Sequence, residues 1–357
     1  GLCLNNNTWR YILMDWVIEL KPYVPFAVLL AVAPKLEPAD KKILKWISIA
    51  NATFCCLLFL GGHQLVTKIL FHVTYGGCTL FISSLFIIYC SLDDKGQLSR
   101  RDLLLSVFFL TYGLACTRSK YYGLYVLCIF FLFYYKPGMF KSVTFKHVLM
   151  IAGVFAMVLL VSWDKISYYF LTGAGNKFDP TVAASFARPV LYGTGGLIFI
   201  DYFPFGSGLA SFASYPSGVG YSNVYYEYGI NNVFGLSPQT GFYICDAFYP
   251  SLAQFGVFGV MLFIGFWVYA YQLLKKIIRF DPSRFRYPFI IGMLIICFIA
   301  IENTGGNTFT QSPGMLSMSL LGTICGMSKL IRRHDSQADS DAEQERSLHS
   351  FELKKIN

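Results

Sequence analysis

The sequence predicts an all-α, polytopic integral membrane protein with at least nine transmembrane helices and one large extracytoplasmic loop. Three observations carry that prediction. Of 357 residues, 55% are hydrophobic and only 14% are charged, too apolar a mixture to cover a folded surface in water. The apolar residues gather into runs near the length that crosses a bilayer, roughly 20 residues per helix. The lysines and arginines sit in short clusters between those runs, as topology signals do, and form no basic domain for nucleic acid.

Taken in order, the runs place helices near residues 23–34, 43–61, 69–92, 103–117, 121–135, 147–163, 247–273, 287–302 and 313–331. The chain opens on Gly1 rather than Met, so nine is a minimum. Alternate connections divide the charge unevenly: 18 Lys and Arg, from Lys35 to Arg333, fall in one set, and 6, including Lys68, Arg118, Lys120 and Arg188, in the other. The richer set is predicted to be cytoplasmic. Residues 1–163 and 247–331 then form two groups of membrane helices around a loop at 164–246, and the polar tail 332–357 is a disordered cytoplasmic end.

The loop is dense in Gly, Tyr, Phe, Pro and Ser, and its aromatic content argues for order. Within it, 185–203 reads as an amphipathic or re-entrant helix lying on the membrane surface. The ten cysteines are scattered, mostly in apolar runs with no CxxC, and read as small core residues. The Asn-x-Thr patterns at Asn6 and Asn51 are too common to carry weight.

Four stretches carry candidate chemistry. "CTRSKYYGLYVL" puts Arg118 and Lys120 between two apolar runs. A buried Arg or Lys costs about 2.5–3.5 kcal/mol at a helix centre, so a hairpin turning at "TRSK" is the less costly arrangement. Both cations then snorkel at the outer face or serve a ligand there. Arg188 heads "ARPVLYGTGGLIFIDYFPFGSGLASF", whose glycines Gly206 and Gly208 permit positive φ and a turn with amides facing an anion. Asp246 opens "DAFYPSLAQFGVFGVMLF" and reads equally as a helix cap or a general base. Asp201, Glu227 and Glu302 are other carboxylates of the outer face, read as interfacial or structural. "YSNVYYEYGINNVFGL" offers Tyr221, Tyr225 and Tyr228 as stacking surfaces for sugar, or as a packed aromatic loop.

The first three of these elements, in this order, resemble the O-antigen polymerase and O-antigen ligase superfamily of bacterial polysaccharide assembly membrane proteins. "CTRSKYYGLYVL" looks like that family's "SRG" helix turn, and "FPFGSG" is similar to its "P-x-G-x-G" element. The resemblance runs from about Tyr23 to Ile331. Where ligases carry a His after the loop this chain has Asp246, which favours the polymerase.

The resemblance implies an enzyme of the bacterial inner membrane with a periplasmic loop. It would join polyprenyl-diphosphate-linked oligosaccharide repeat units into O-antigen or capsular polysaccharide by metal-independent glycosyl transfer. Arg118 and Arg188 would hold the diphosphate and Asp246 would act as base. Lys120, Gly206, Gly208, Tyr221, Tyr225 and Tyr228 would complete the substrate site. No cofactor or metal is expected; membrane lipid, a chain-length regulator and a flippase are the expected partners. The alternatives are a ligase transferring polysaccharide to lipid A core, a transporter of lipid-linked glycan or anions, and a non-catalytic scaffold.

Overall fold

A computed structural model describes residues 4, 6–138, 153 and 187–329. The described residues are helical and turn structure with no strand. The helices are α1 (Trp9–Leu20), α2 (Tyr23–Val32), α3 (Pro38–Leu60), α4 (His63–Leu70), α5 (Val73–Cys90), α6 (Arg100–Tyr112) and α7 (Ser119–Ile129). After the undescribed stretch come α8 (Ala187–Asp201), α9 (Tyr215–Val219), α10 (Val224–Glu227), α11 (Gly256–Phe280) and α12 (Arg286–Glu302), then α13 over 312–329.

Among the described residues, four helical runs are long and apolar enough to cross a membrane: Pro38–Leu60, Val73–Cys90, Tyr249–Phe280 and Arg286–Gly305. Nine segments were expected, and the differences have local causes. The apolar run at 69–92 is broken at Phe71, which takes a positive φ of 63° and separates α4 from α5. The segments at 23–34 and 121–135 form shorter apolar helices, Tyr23–Val32 and Ser119–Tyr134. The segment at 103–117 becomes α6 followed by a tight 3₁₀ turn, Gly113–Cys116. The span expected at 147–163, the first part of the loop and the C-terminal tail lie outside the described residues.

Burial is distributed as hydrocarbon solvent requires. α5 is surrounded, its Gly76 set against the Phe59 ring and its Gly77 against Cys116, where an added Cβ would lie 2.7 and 3.1 Å from those side chains. α11 instead turns Phe258, Met261, Leu262, Ile264 and Val268 outward, an apolar face unsustainable in water but at home against lipid. Small residues four apart bring α13 onto α2: a Cβ on Gly322 would sit 2.7 Å from the Phe26 carbonyl oxygen, and one on Gly326 3.1 Å from Ala33 Cα. Close backbone approach of this kind is what membrane helices use in place of hydrophobic attraction.

The cation-rich connections meet at one end of the bundle. Lys45 pairs with Asp102 at 2.6 Å, Lys41 donates to the Leu92 carbonyl at 3.3 Å, and Arg286 Nε donates to the Tyr135 carbonyl at 3.2 Å. The segment 187–255 has an apolar cluster of its own, built on Leu191, Ile198, Phe212, Val224, Tyr225 and Leu236.

The helix α1 was not foreseen, because its pattern is inverted. Trp9, Leu13, Trp16 and Val17 are exposed while Asp15 and Glu19 are buried. Asp15 Oδ2 accepts from the Ala210 amide at 2.6 Å, Asn6 Nδ2 donates to the Ser207 carbonyl at 2.9 Å, and the Tyr11 ring fills the space beside Gly220. These contacts dock α1 onto the cap formed by residues 187–255.

Candidate functional site

The site gathers at the ends of α5, α7, α8 and α12. The break at Phe71 leaves His72 at the N-cap of α5, where its Nδ1 accepts from the Thr74 amide at 3.2 Å. At the next hairpin the chain turns through Thr117, in the left-handed region at φ 53°, so Arg118 precedes α7 and Lys120 lies in its first turn. The predicted "TRSK" turn is therefore present. Arg118 Nη2 lies 3.0 Å from His72 Nε2.

Lys120 points inward. Its ammonium donates to Glu302 Oε2 at 2.7 Å, to the Glu302 carbonyl at 2.9 Å and to the Gly305 carbonyl at 2.9 Å. Those three bonds use all three of its protons. The Glu302 side chain is 1% exposed and that of Lys120 24%, so this is an interior ion pair closing the end of α12. The structure thus commits Lys120, expected to bind substrate, to the protein's own carboxylate and carbonyls.

Arg188 enters from the first turn of α8. Its Nη2 pairs with Asp246 Oδ2 at 2.5 Å, with side chains 42% and 30% exposed. The guanidinium lies over Gly305, where a Cβ would approach its Cζ to 3.1 Å, so a larger residue there would push the guanidinium back by a few tenths of an ångström. Its Nε is buried without a partner among the described residues. Tyr192, one turn on, donates to the Thr304 carbonyl at 3.1 Å, and Tyr249 to the Ala300 carbonyl at 2.8 Å. The segment 300–306 is therefore the hub that Lys120, Arg188, Tyr192 and Tyr249 all touch.

Burial and the neighbouring Arg118 charge lower the His72 pKa from its ordinary 6.5; Asp246 opposes this and Lys120 adds to it. The ring is neutral at pH 7. Three cations, Arg118, Lys120 and Arg188, then face two carboxylates, Asp246 and Glu302, leaving a surplus of one positive charge. Beside Tyr192 a cavity of about 240 Å³ opens between α8 and the 249–260 segment, lined by Tyr192, Gly195, Gly196, Phe199, Leu252 and Val260.

The other expected ligand residues serve the cap itself. Gly206 and Gly208 do take positive φ, 77° and 87°, but their amides donate to the carbonyls of Tyr202 and Gln254 at 2.8 and 2.9 Å. They face no open space, and the close backbone approach they permit is to Gly256, whose nitrogen a Cβ on Gly206 would meet at 2.4 Å. Tyr225 is wholly buried, its hydroxyl between the Ala213 amide and Ser217, so it offers no stacking face. Tyr221 stacks on Tyr225 at 5.0 Å and donates to the Leu236 carbonyl, and Tyr228 donates to Asp201 at 2.7 Å. Exposed aromatics of the cap include instead Phe203, Phe205, Tyr215, Tyr226, Phe234 and Phe242.

Sequence reasoning missed His72, whose one signal was a polar residue interrupting an apolar run. Among the described residues, no three of His, Cys, Asp and Glu gather into a group that could hold a metal ion. Compared with known proteins, no family model matches the chain and no curated relative matches it in sequence.

Proposed function

We propose that this chain is a membrane glycosyltransferase that polymerises polyprenyl-diphosphate-linked oligosaccharide repeat units into O-antigen or capsular polysaccharide at the outer face of the inner membrane. The observation that carries the reading is the pairing of surplus positive charge at Arg118 and Arg188 with an apolar cavity beginning one turn along α8 at Tyr192. A diphosphate head and an isoprenoid tail need those two environments side by side.

In this reading the guanidinium groups stabilise the charge that develops on the diphosphate as a sugar hydroxyl attacks the anomeric carbon. Phosphate oxygens compete with Asp246 for Arg188. Binding of the donor therefore frees the Asp246 carboxylate to take the hydroxyl proton, so the base is released only when there is a bond to make.

The test is the length distribution of surface polysaccharide in a null strain carrying wild type, Arg188→Ala or Asp246→Ala at matched membrane levels. A ladder from wild type and single units from the variants is expected. Full ladders from both variants would make the pair structural. Loss of even single units from the core in the null strain would assign the ligase instead.

A further inference from the structure

A neutral imidazole has one acceptor lone pair and one N–H. His72 is approached by two donors: the Thr74 amide at Nδ1, 3.2 Å away, and Arg118 Nη2 at Nε2, 3.0 Å away. One of them must go unserved. The Thr74 bond is local, formed by a side chain with the backbone two residues on, at the start of an 18-residue helix. With that bond kept, Nδ1 is the acceptor and the proton sits on Nε2. The Nε2–H and the Arg118 Nη2–H are then two donors 3.0 Å apart with no acceptor between them.

We propose that His72 is an anion-binding residue, its Nε2–H and the Arg118 guanidinium together donating to one phosphate oxygen of the diphosphate. This rests on the glycan-diphosphate reading above and extends it to a residue outside every motif. Lys120 cannot take that place, since its protons are spent on Glu302 and Gly305. The two donors are presented by different elements, the N-cap of α5 and the residue before α7, and both are reachable from outside. An anion there would join the two hairpins.

Purified full-length protein in detergent is titrated calorimetrically with inorganic diphosphate, beside three variants whose melting temperatures are followed in parallel. His72→Asn keeps an acceptor for Thr74 and removes the distal donor; His72→Gln keeps a distal N–H; Arg118→Ala removes the guanidinium. Wild type is expected to bind, His72→Asn to bind about tenfold or more weakly, and His72→Gln within about threefold of wild type, the size of one hydrogen bond to a charged group. In ¹⁵N-histidine-labelled wild type, diphosphate should also shift the ring signal that is absent from His72→Gln, a readout independent of whether His72→Asn folds. Undiminished binding by His72→Asn, or an unmoved His72 signal, with Arg118→Ala impaired, overturns the role of His72 alone. No binding by wild type, or full binding by Arg118→Ala, overturns the diphosphate site and His72 with it.

Discussion

Arg118 and Lys120 stand two residues apart on the same turn, yet they enter opposite surroundings. Lys120 reaches into the 302–306 turn, where a buried carboxylate and two carbonyls take all its protons. Arg118 stays at the rim, its Nη2 3.0 Å from His72 Nε2. The same charge pattern in sequence thus yields one cation that holds the fold and one that, in the reading proposed above, serves a ligand. What separates them is Glu302, 182 residues further along the chain.

A second contrast lies among the buried acids. Glu302 has Lys120, whereas among the described residues Asp15 and Glu19 on α1 have no cation, and Asp15 Oδ1 and Glu19 Oε1 are buried without a partner. Desolvation therefore raises Asp15 to about 6, against the bonds from Ala210, Ser214 and Gln254, and raises Glu19 to about 8, with Asp15 adding to it.

The largest effect is expected from Lys120→Ala. It strands a buried carboxylate, which costs about 3–5 kcal/mol, so the variant should melt well below wild type in detergent. Lys120→Met with Glu302→Leu, which removes both charges, should recover most of the loss. Full stability of Lys120→Ala would place Lys120 at the rim beside Arg118.

Next in size is the response of α1 to pH. Both carboxyls bind their protons more tightly when folded, so the docked arrangement is favoured below the unfolded values of 3.8 and 4.5 and loses ground as pH rises toward about 6 for Asp15 and about 8 for Glu19. Protection of the Ala210 amide, which donates to Asp15, against hydrogen exchange should fall between pH 5 and 9 once the intrinsic pH dependence of exchange is divided out, and Glu19→Gln should flatten that response. Protection independent of pH in wild type would mean that ionisation of the two acids does not loosen the docked helix.

Smallest in stability, though not in activity, is Arg118→Ala. Removing a cation at the rim should change stability by no more than about 0.5 kcal/mol while abolishing long polysaccharide chains. A large fall in melting temperature would show that Arg118, like Lys120, belongs to the fold.

The elements legible in sequence were those whose signal is local. The long apolar runs gave α3, α5, α11 and α12, and the cations of "TRSK" marked a turn because charge is costly inside a bilayer. Arg188 and Asp246 stood out as charges flanking apolar segments, and the structure sets them against each other. What stayed hidden depends on distant partners. The glycines of "FGSG" predict the turn but not that Tyr202 and Gln254 consume its amides. α1 escaped notice because it hides acids and shows tryptophans, an order that makes sense only with the cap above it. The break before His72 is carried by the backbone of Phe71, and its one trace in the sequence is the polar His72 inside an otherwise apolar run.

The bond between Lys120 and Glu302 also sets a schedule for the living cell. Ribosomes add about 5–20 residues per second, so some 10–40 s separate the emergence of Lys120 from that of the carboxylate it needs. Throughout that interval the first hairpins stand in the membrane with an unneutralised ammonium, and the seat for Arg188 over Gly305 has not been made. The centre is completed only when the turn at 302–306 emerges, after both arginines, so a nascent chain displays its arginines before the turn that organises them.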